Sequence, residues 1–187
     1  MALAAVSALL IRYHDLILNL WLPCKPPGII LHHSASPPGV GSHIIDAAAL
    51  DRMHAHRGFI TWYKGKAYHI GYHFVILQDG TVQQGRPVGC RGAHTHGPGD
   101  LNSCVGICLV GDFCSRTNRN GAQGPTRPTS AQQAALVRLC GRLMDTYDIP
   151  ASNVKRHCDF NRTECPGDRF PYRWLIRELS QGRQRTR

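Results

Sequence analysis

Apolar and polar positions alternate along this chain in patterns that mark out strands and helices in turn. "IILHHSAS" (29–36) is a short apolar run ending in two histidines, the pattern of a buried strand that presents polar groups at its end. Residues 43–57 carry helical spacing: Ile45, Leu50 and Met53 face inward, Ser42 caps the start and Gly58 the end. "WYKGKAYHI" (62–70) reads as a small hairpin around Lys64-Gly65. "GYHFVILQDGTVQQGRP" (71–87) reads as a larger one, turning at Asp79-Gly80. In "CVGICLVGDF" (104–113), a buried strand, Cys104, Gly106, Cys108 and Val110 share one face, and Val105, Ile107 and Leu109 the other.

The polar stretch "RNGAQGPTRP" (119–128) is a loop. The strongest helix signal follows at about 130–147, with Thr129 and Gln132 forming a capping box and Leu136, Cys140, Leu143 and Tyr147 an apolar stripe. A last helix is expected over 168–179, with Pro171 in its first turn and Trp174, Leu175 and Leu179 facing the core. Strands interleaved with helices define an α/β (α+β) domain: a central mixed β-sheet flanked by about three helices.

The 187 residues suffice for one well-cored domain. "PCKPPG" (23–28) is a proline-rich hinge, which divides the chain into an N-terminal extension (1–27), a catalytic-sized domain (28–180) and a basic tail (181–187). The extension opens with "MALAAVSALLIRYHDLILNLWL". Its apolar run precedes Arg12, the reverse of an ordinary export signal, and Arg12, His14 and Asp15 would lie near mid-bilayer in a spanning helix. Two readings stand: an extra helix packed on the domain, or an atypical signal or membrane anchor.

Lysine and arginine outnumber acids 22 to 12, a net charge of +10. Such a chain is attracted to polyanions, whether nucleic acid, anionic lipid or anionic wall polymers. No helix carries a basic stripe and no aromatic-basic RNA motif is present, which argues against nucleic acid. The eight cysteines form no CxxC pair and no regular framework. Several lie in apolar runs, so mostly free thiols are expected.

"RHCDFNRTECPGD" (156–168) concentrates the candidate chemistry. His157 and Cys165 are of types that bind zinc, but they are eight residues apart, so a loop must join them, and a third ligand must come from elsewhere. The strand-end pair His32-His33 is the natural donor. Neighbours on a strand point to opposite faces, so only one of the two can enter the site.

In order along the chain, "LHHSAS", "IGYHFVILQDGTVQQGRP", "GAHTHG", "VGICLVGDF" and "RHCDFNRTECPGD" resemble the zinc-dependent N-acetylmuramoyl-L-alanine amidases of the peptidoglycan recognition protein superfamily, which includes amidase-type phage lysozymes. The resemblance runs from about Gly28 to Leu179. It implies one Zn²⁺ held by His32, His157 and Cys165 in a surface cleft at strand ends, with His33 beside the first ligand. It implies catalytic roles for Tyr72 and Thr163, and places His94 on the rim of the cleft as a substrate contact beside His33. The implied reaction is hydrolysis of the amide between N-acetylmuramic acid and L-alanine in peptidoglycan; the alternative is a peptidoglycan-recognition module without activity. The implied enzyme is a monomer acting on the cell wall, in the periplasm or outside the cell. With no clear signal peptide, synthesis in the cytoplasm and release as a lysin or effector is the matching route. Three features depart from the family: the extension 1–27, a longer segment at 62–70, and Cys158, a competing thiol beside His157.

Overall fold

The structure, a computed structural model, describes residues 25–40, 43–96 and 100–185. The expected N-terminal extension falls almost wholly outside them. Nine strands are present among the described residues: β1 (Ile29–His33), β2 (Gly39–Val40), β3 (His43–Ile44), β4 (Thr61–Tyr63), β5 (Lys66–Tyr68), β6 (Phe74–Ile76), β7 (Val82–Gln84), β8 (Val105–Leu109) and β9 (Val154–Arg156). Among the same residues, three α-helices accompany them: α1 (Ala47–Ala55), α2 (Ser130–Tyr147) and α3 (Tyr172–Arg185).

Five strands form the central sheet in the order β7-β6-β8-β1-β9. β1 lies parallel to both β8 and β9, β6 is parallel to β8, and β7 alone runs antiparallel at the edge. The sheet is therefore mixed, as the sequence pattern predicts. Strands β1 and β8 are buried along their whole length, as expected for strands covered on both faces.

The two faces of β8 divide as its alternation requires. Val105, Ile107 and Leu109 join Ile29, Leu31, Leu136, Leu139, Leu143 and Leu175 in the larger core beneath α2 and α3. Cys108 and Val110 join Leu50, Ile70 and Val75 in a smaller core on the α1 side. Register places His32 opposite Cys108 and His33 opposite Leu109, so the adjacent histidines take opposite faces. His32, 1% exposed, lies on the side of the smaller core.

The hairpin β4–β5 turns at Lys64-Gly65, both in the left-handed region, and the β6–β7 connection carries Gly80 at positive φ. The capping box at α2 is present: Gln132 N–H donates to Thr129 Oγ1, and the Gln132 side chain accepts from Thr129 N–H. Two helix boundaries differ from expectation. α1 starts at Ala47, because 43–44 pair with 39–40 as a short β-ladder and Asp46 supplies the cap by accepting from Ala49 N–H at 2.7 Å. Ser42, the expected cap, lies outside the described residues. Met53 is 40% exposed, since Ala49, Leu50 and His54 form the inward face. α3 begins after Pro171, whose carbonyl accepts from Leu175 N–H, and it continues past Leu179 to Arg185. No helix among the described residues is long and apolar enough to cross a membrane.

Candidate metal centre and cleft

Three chain segments converge beside the smaller core. β1 brings His32 to its end. β9 pairs with β1 as far as Leu31 opposite Arg156, so the next residue, His157, arrives beside His32 with ring centroids 4.6 Å apart. Cys165 comes from the loop before α3. Its carbonyl accepts from Cys158 N–H at 2.9 Å and its N–H donates to Thr163 Oγ1 at 3.2 Å, which pins the loop on both sides of the thiol. Gly167, at φ +100°, lets that loop press against the backbone of Phe113, where a Cβ would lie 2.4 Å from the carbonyl carbon.

The ligand atoms of His32, His157 and Cys165 all lie within 4.8 Å of one another. Cys165 Sγ stands 3.6 Å from His32 Nδ1. Tetrahedral zinc with ordinary Zn–S and Zn–N bonds separates sulfur from nitrogen by about 3.6 Å, so this pair is at coordination distance. His33 N–H points at the same sulfur from 3.4 Å. Burial, then the neighbouring His94 and His157, holds His32 neutral, and burial lowers His157 also, against a raising hydrogen bond from Asn161. Neutral imidazoles are the ligating form. Burial pushes the Cys165 thiol up to about 12, despite the lowering contribution of His33 N–H. A thiol so placed ionises only with a cation beside it, which is what a bound metal supplies. The donor set fits zinc.

Tyr72 stands against this trio, its ring centroid 5.1 Å from that of His32. Its hydroxyl and the Cys108 thiol share a hydrogen bond, and burial, then Cys108 and Cys165, raises its pKa well above the usual phenol value. His54, 5% exposed on α1, packs behind Tyr72 with centroids 5.4 Å apart and accepts from Gly71 N–H through Nδ1.

His33 faces the other way. Its Nδ1 accepts from Phe113 N–H at 3.2 Å and lies 3.8 Å from an Asp112 carboxylate oxygen, and burial lowers its pKa to about 4. It lines a cavity of about 550 Å³ with Cys114, Arg116, Arg162, Thr163 and Glu164, and Cys165 forms part of the same wall. Thr163 is exposed there. Glu164 is already engaged: Arg116 reaches it at 2.7 Å and the Cys114 thiol at 3.1 Å.

His94 is where the sequence reading and the structure part company. The reading puts it on the rim, but it is 7% exposed and lies beneath His32, with His94 Nδ1 3.1 Å from His32 Nε2 and His94 Nε2 3.1 Å from the Cys104 carbonyl. Both ring nitrogens are occupied inside the protein. The loop backbone around it does reach the surface, where Phe59, Arg91, Thr95, His96 and Asn102 line a recess of about 330 Å³.

Three contributors escape the sequence reading. Asn161 ties the His96 loop to the ligand segment: its Oδ1 accepts from Thr95 Oγ1 at 2.6 Å, and it hydrogen-bonds His157. Its position between the two C-terminal ligands is the signal that marks it. Cys108 reads as a core residue, and His54 interrupts an apolar helical stripe; neither carries a local motif. Cys104, Cys108, Cys114, Cys140, Cys158 and Cys165 are free thiols.

Residues 23–168 match the N-acetylmuramoyl-L-alanine amidase family. The chain is 28% identical over 151 residues to the endolysin of Enterobacteria phage T3, covering 81% of this chain and 87% of that protein. Among solved structures, the N-acetylmuramoyl-L-alanine amidase LysC of Clostridium intestinale superposes with a TM-score of 0.63 at 32% identity, over 83% of this chain and 86% of that one. A Drosophila PGRP-LB mutant in complex with tracheal cytotoxin superposes with a TM-score of 0.54 at 28% identity, over 78% of each chain.

Proposed function

The chain belongs to the N-acetylmuramoyl-L-alanine amidase family and is an enzyme of that class, and from this premise we propose that it cleaves the amide between N-acetylmuramic acid and L-alanine in peptidoglycan with one zinc ion held by His32, His157 and Cys165. The observation that carries the zinc is the convergence of two neutral imidazoles and one thiol within 4.8 Å, drawn from three separate segments. Zinc, when bound, supplies a Lewis acid that polarises a carbonyl and ionises water near neutral pH, at about 7.

The chain's own residues do the rest. Tyr72, kept protonated by burial, donates its hydroxyl proton to the oxyanion that develops on the lactyl carbonyl, exchanging its present partner Cys108 for substrate. Thr163 Oγ1 accepts from Cys165 N–H, which leaves its own O–H to donate into the cavity and orient water or the departing amine. In the neutral ring of His33, Nδ1 accepts from Phe113 N–H, so Nε2 carries the proton and serves as a donor to stem-peptide carbonyls. Glu164, held by Arg116 and Cys114, is not placed as a general base. Residues 28–180 form the catalytic domain, acting as a monomer on the cell wall after synthesis in the cytoplasm.

The test joins metal content to product. Purified protein is incubated with peptidoglycan, and stem peptides beginning with L-alanine are sought by mass spectrometry. Wild type should carry one zinc per chain and release them; Cys165→Ala should lose both. Tyr72→Phe should keep the zinc and lose about 100-fold in turnover, the usual cost of removing one oxyanion donor. Zinc bound without peptide release in the wild type would move the function to recognition. Unchanged turnover in Tyr72→Phe would remove that hydroxyl from the mechanism.

A further inference from the structure

We propose that His94 is a positioning residue that fixes the tautomer of His32, presenting its Nδ1 lone pair to the metal through a relay of two hydrogen bonds; this rests on the zinc reading above. The relay has only one polarity. The Cys104 carbonyl can only accept, so the 3.1 Å contact requires the proton on His94 Nε2. In the neutral ring His94 Nδ1 is then bare and can only accept. Its neighbour at 3.1 Å, His32 Nε2, must therefore carry the proton. That leaves His32 Nδ1 unprotonated, and it is the nitrogen that faces Cys165 Sγ. A backbone carbonyl thus dictates, through two imidazoles, which nitrogen of His32 is available for coordination. Buried partners of this kind set both the orientation and the basicity of a ligating histidine.

The structure is built to hold His94 in this place. Its ring lies in a slot between two glycines: a Cβ on Gly92 or on Gly106 would come within 2.5 Å of His94 Cδ2. Its backbone N–H donates to Asn102 Oδ1 at 2.9 Å, and the same oxygen accepts from Thr95 N–H at 3.1 Å, so the loop cannot shift without breaking both. His73 closes the slot edge-on, with centroids 5.7 Å apart, its own nitrogens committed to Gly106 N–H and the Cys90 carbonyl. None of this serves a substrate contact.

Two near-isosteric substitutions separate the acceptor from the packing. His94→Asn can place Oδ1 where Nδ1 stands and still accept from His32; His94→Leu cannot. Zinc affinity, read by competition with a chromophoric chelator, should fall about 10- to 100-fold in His94→Leu, the usual range for losing such a partner. In His94→Asn it should fall only a few-fold. Equal zinc affinity in the two variants would overturn the proposal. A second measurement needs no variant and no activity: long-range ¹⁵N–¹H NMR of the metal-free wild type should find His32 protonated at Nε2. Finding it protonated at Nδ1 would also overturn the relay, whether or not the protein proves to be a zinc amidase.

Discussion

At the scale of single residues, Gly106 matters through the side chain it lacks. A methyl there would meet the His94 ring, and the ring has no room to retreat while Gly92 backs it. Gly106→Ala should therefore cost about 1–3 kcal/mol by overpacking. It should also weaken zinc binding, although residue 106 touches no ligand. Urea unfolding of the metal-free protein and zinc competition would separate the two effects. His32, His157, Cys165 and Tyr72 can be picked out through the family resemblance, each from its own stretch (the strand-end histidine pair, the Arg-His-Cys-Asp run, the Cys-Pro-Gly turn and the Gly-Tyr-His stretch), and the structure brings the four side chains together. The role of His94 is not legible in that way. "GAHTHG" marks it as special, but whether an imidazole turns outward to substrate or inward to another imidazole depends on Asn102, Cys104 and Gly106, which pattern alone does not bring to it.

At the scale of elements, α2 is fastened to the sheet by more than its apolar stripe. Gln132, fully buried, donates through Nε2 to the carbonyls of Ile76 and Val110 at 3.1 and 2.9 Å, while its Oε1 closes the capping box. One side chain thus caps a helix and satisfies the ends of β6 and β8. Gln132→Leu keeps the size but strands the Val110 carbonyl, while the Ile76 carbonyl keeps the Val110 N–H at 2.9 Å, and should lower stability by about 1–3 kcal/mol in urea unfolding. The capping box itself is plain in the sequence; its second task is not, because it depends on where two strands end. The same kind of non-local competition shifts the start of α1, where a two-residue ladder takes 43–44 from the helix and hands the cap to Asp46. Long periodic elements such as α2 are read to the residue, whereas short ones are decided by their partners.

At the scale of the whole molecule, buried histidines make stability depend on pH. Burial lowers His73 to about 4, against a raising hydrogen bond from Cys90, and lowers His54 to about 4 as well. Both folded values lie below the unfolded value of about 6.5. The unfolded chain therefore binds more protons between these limits, so the contribution is complete above about pH 6.5 and is lost as pH falls towards 4. His73 alone gives a slope of about 1.4 kcal/mol per pH unit in that window, and His54 adds in the same sense. Urea midpoints of the metal-free protein measured from pH 7 to 4 should fall accordingly; a flat profile would mean that these rings are solvated.

The three-segment origin of the metal trio also sets a schedule. His32 comes first and Cys165 last, with 133 positions separating the two. A ribosome that has made the first strand, and even the whole of α2, has not yet made a place for the ion. A chain on which translation stops anywhere before Cys165 lacks a ligand, however well its earlier parts fold. On the proposed zinc reading, the hydrolytic centre is complete only once Cys165 has been made, and a product ended before it would be inert.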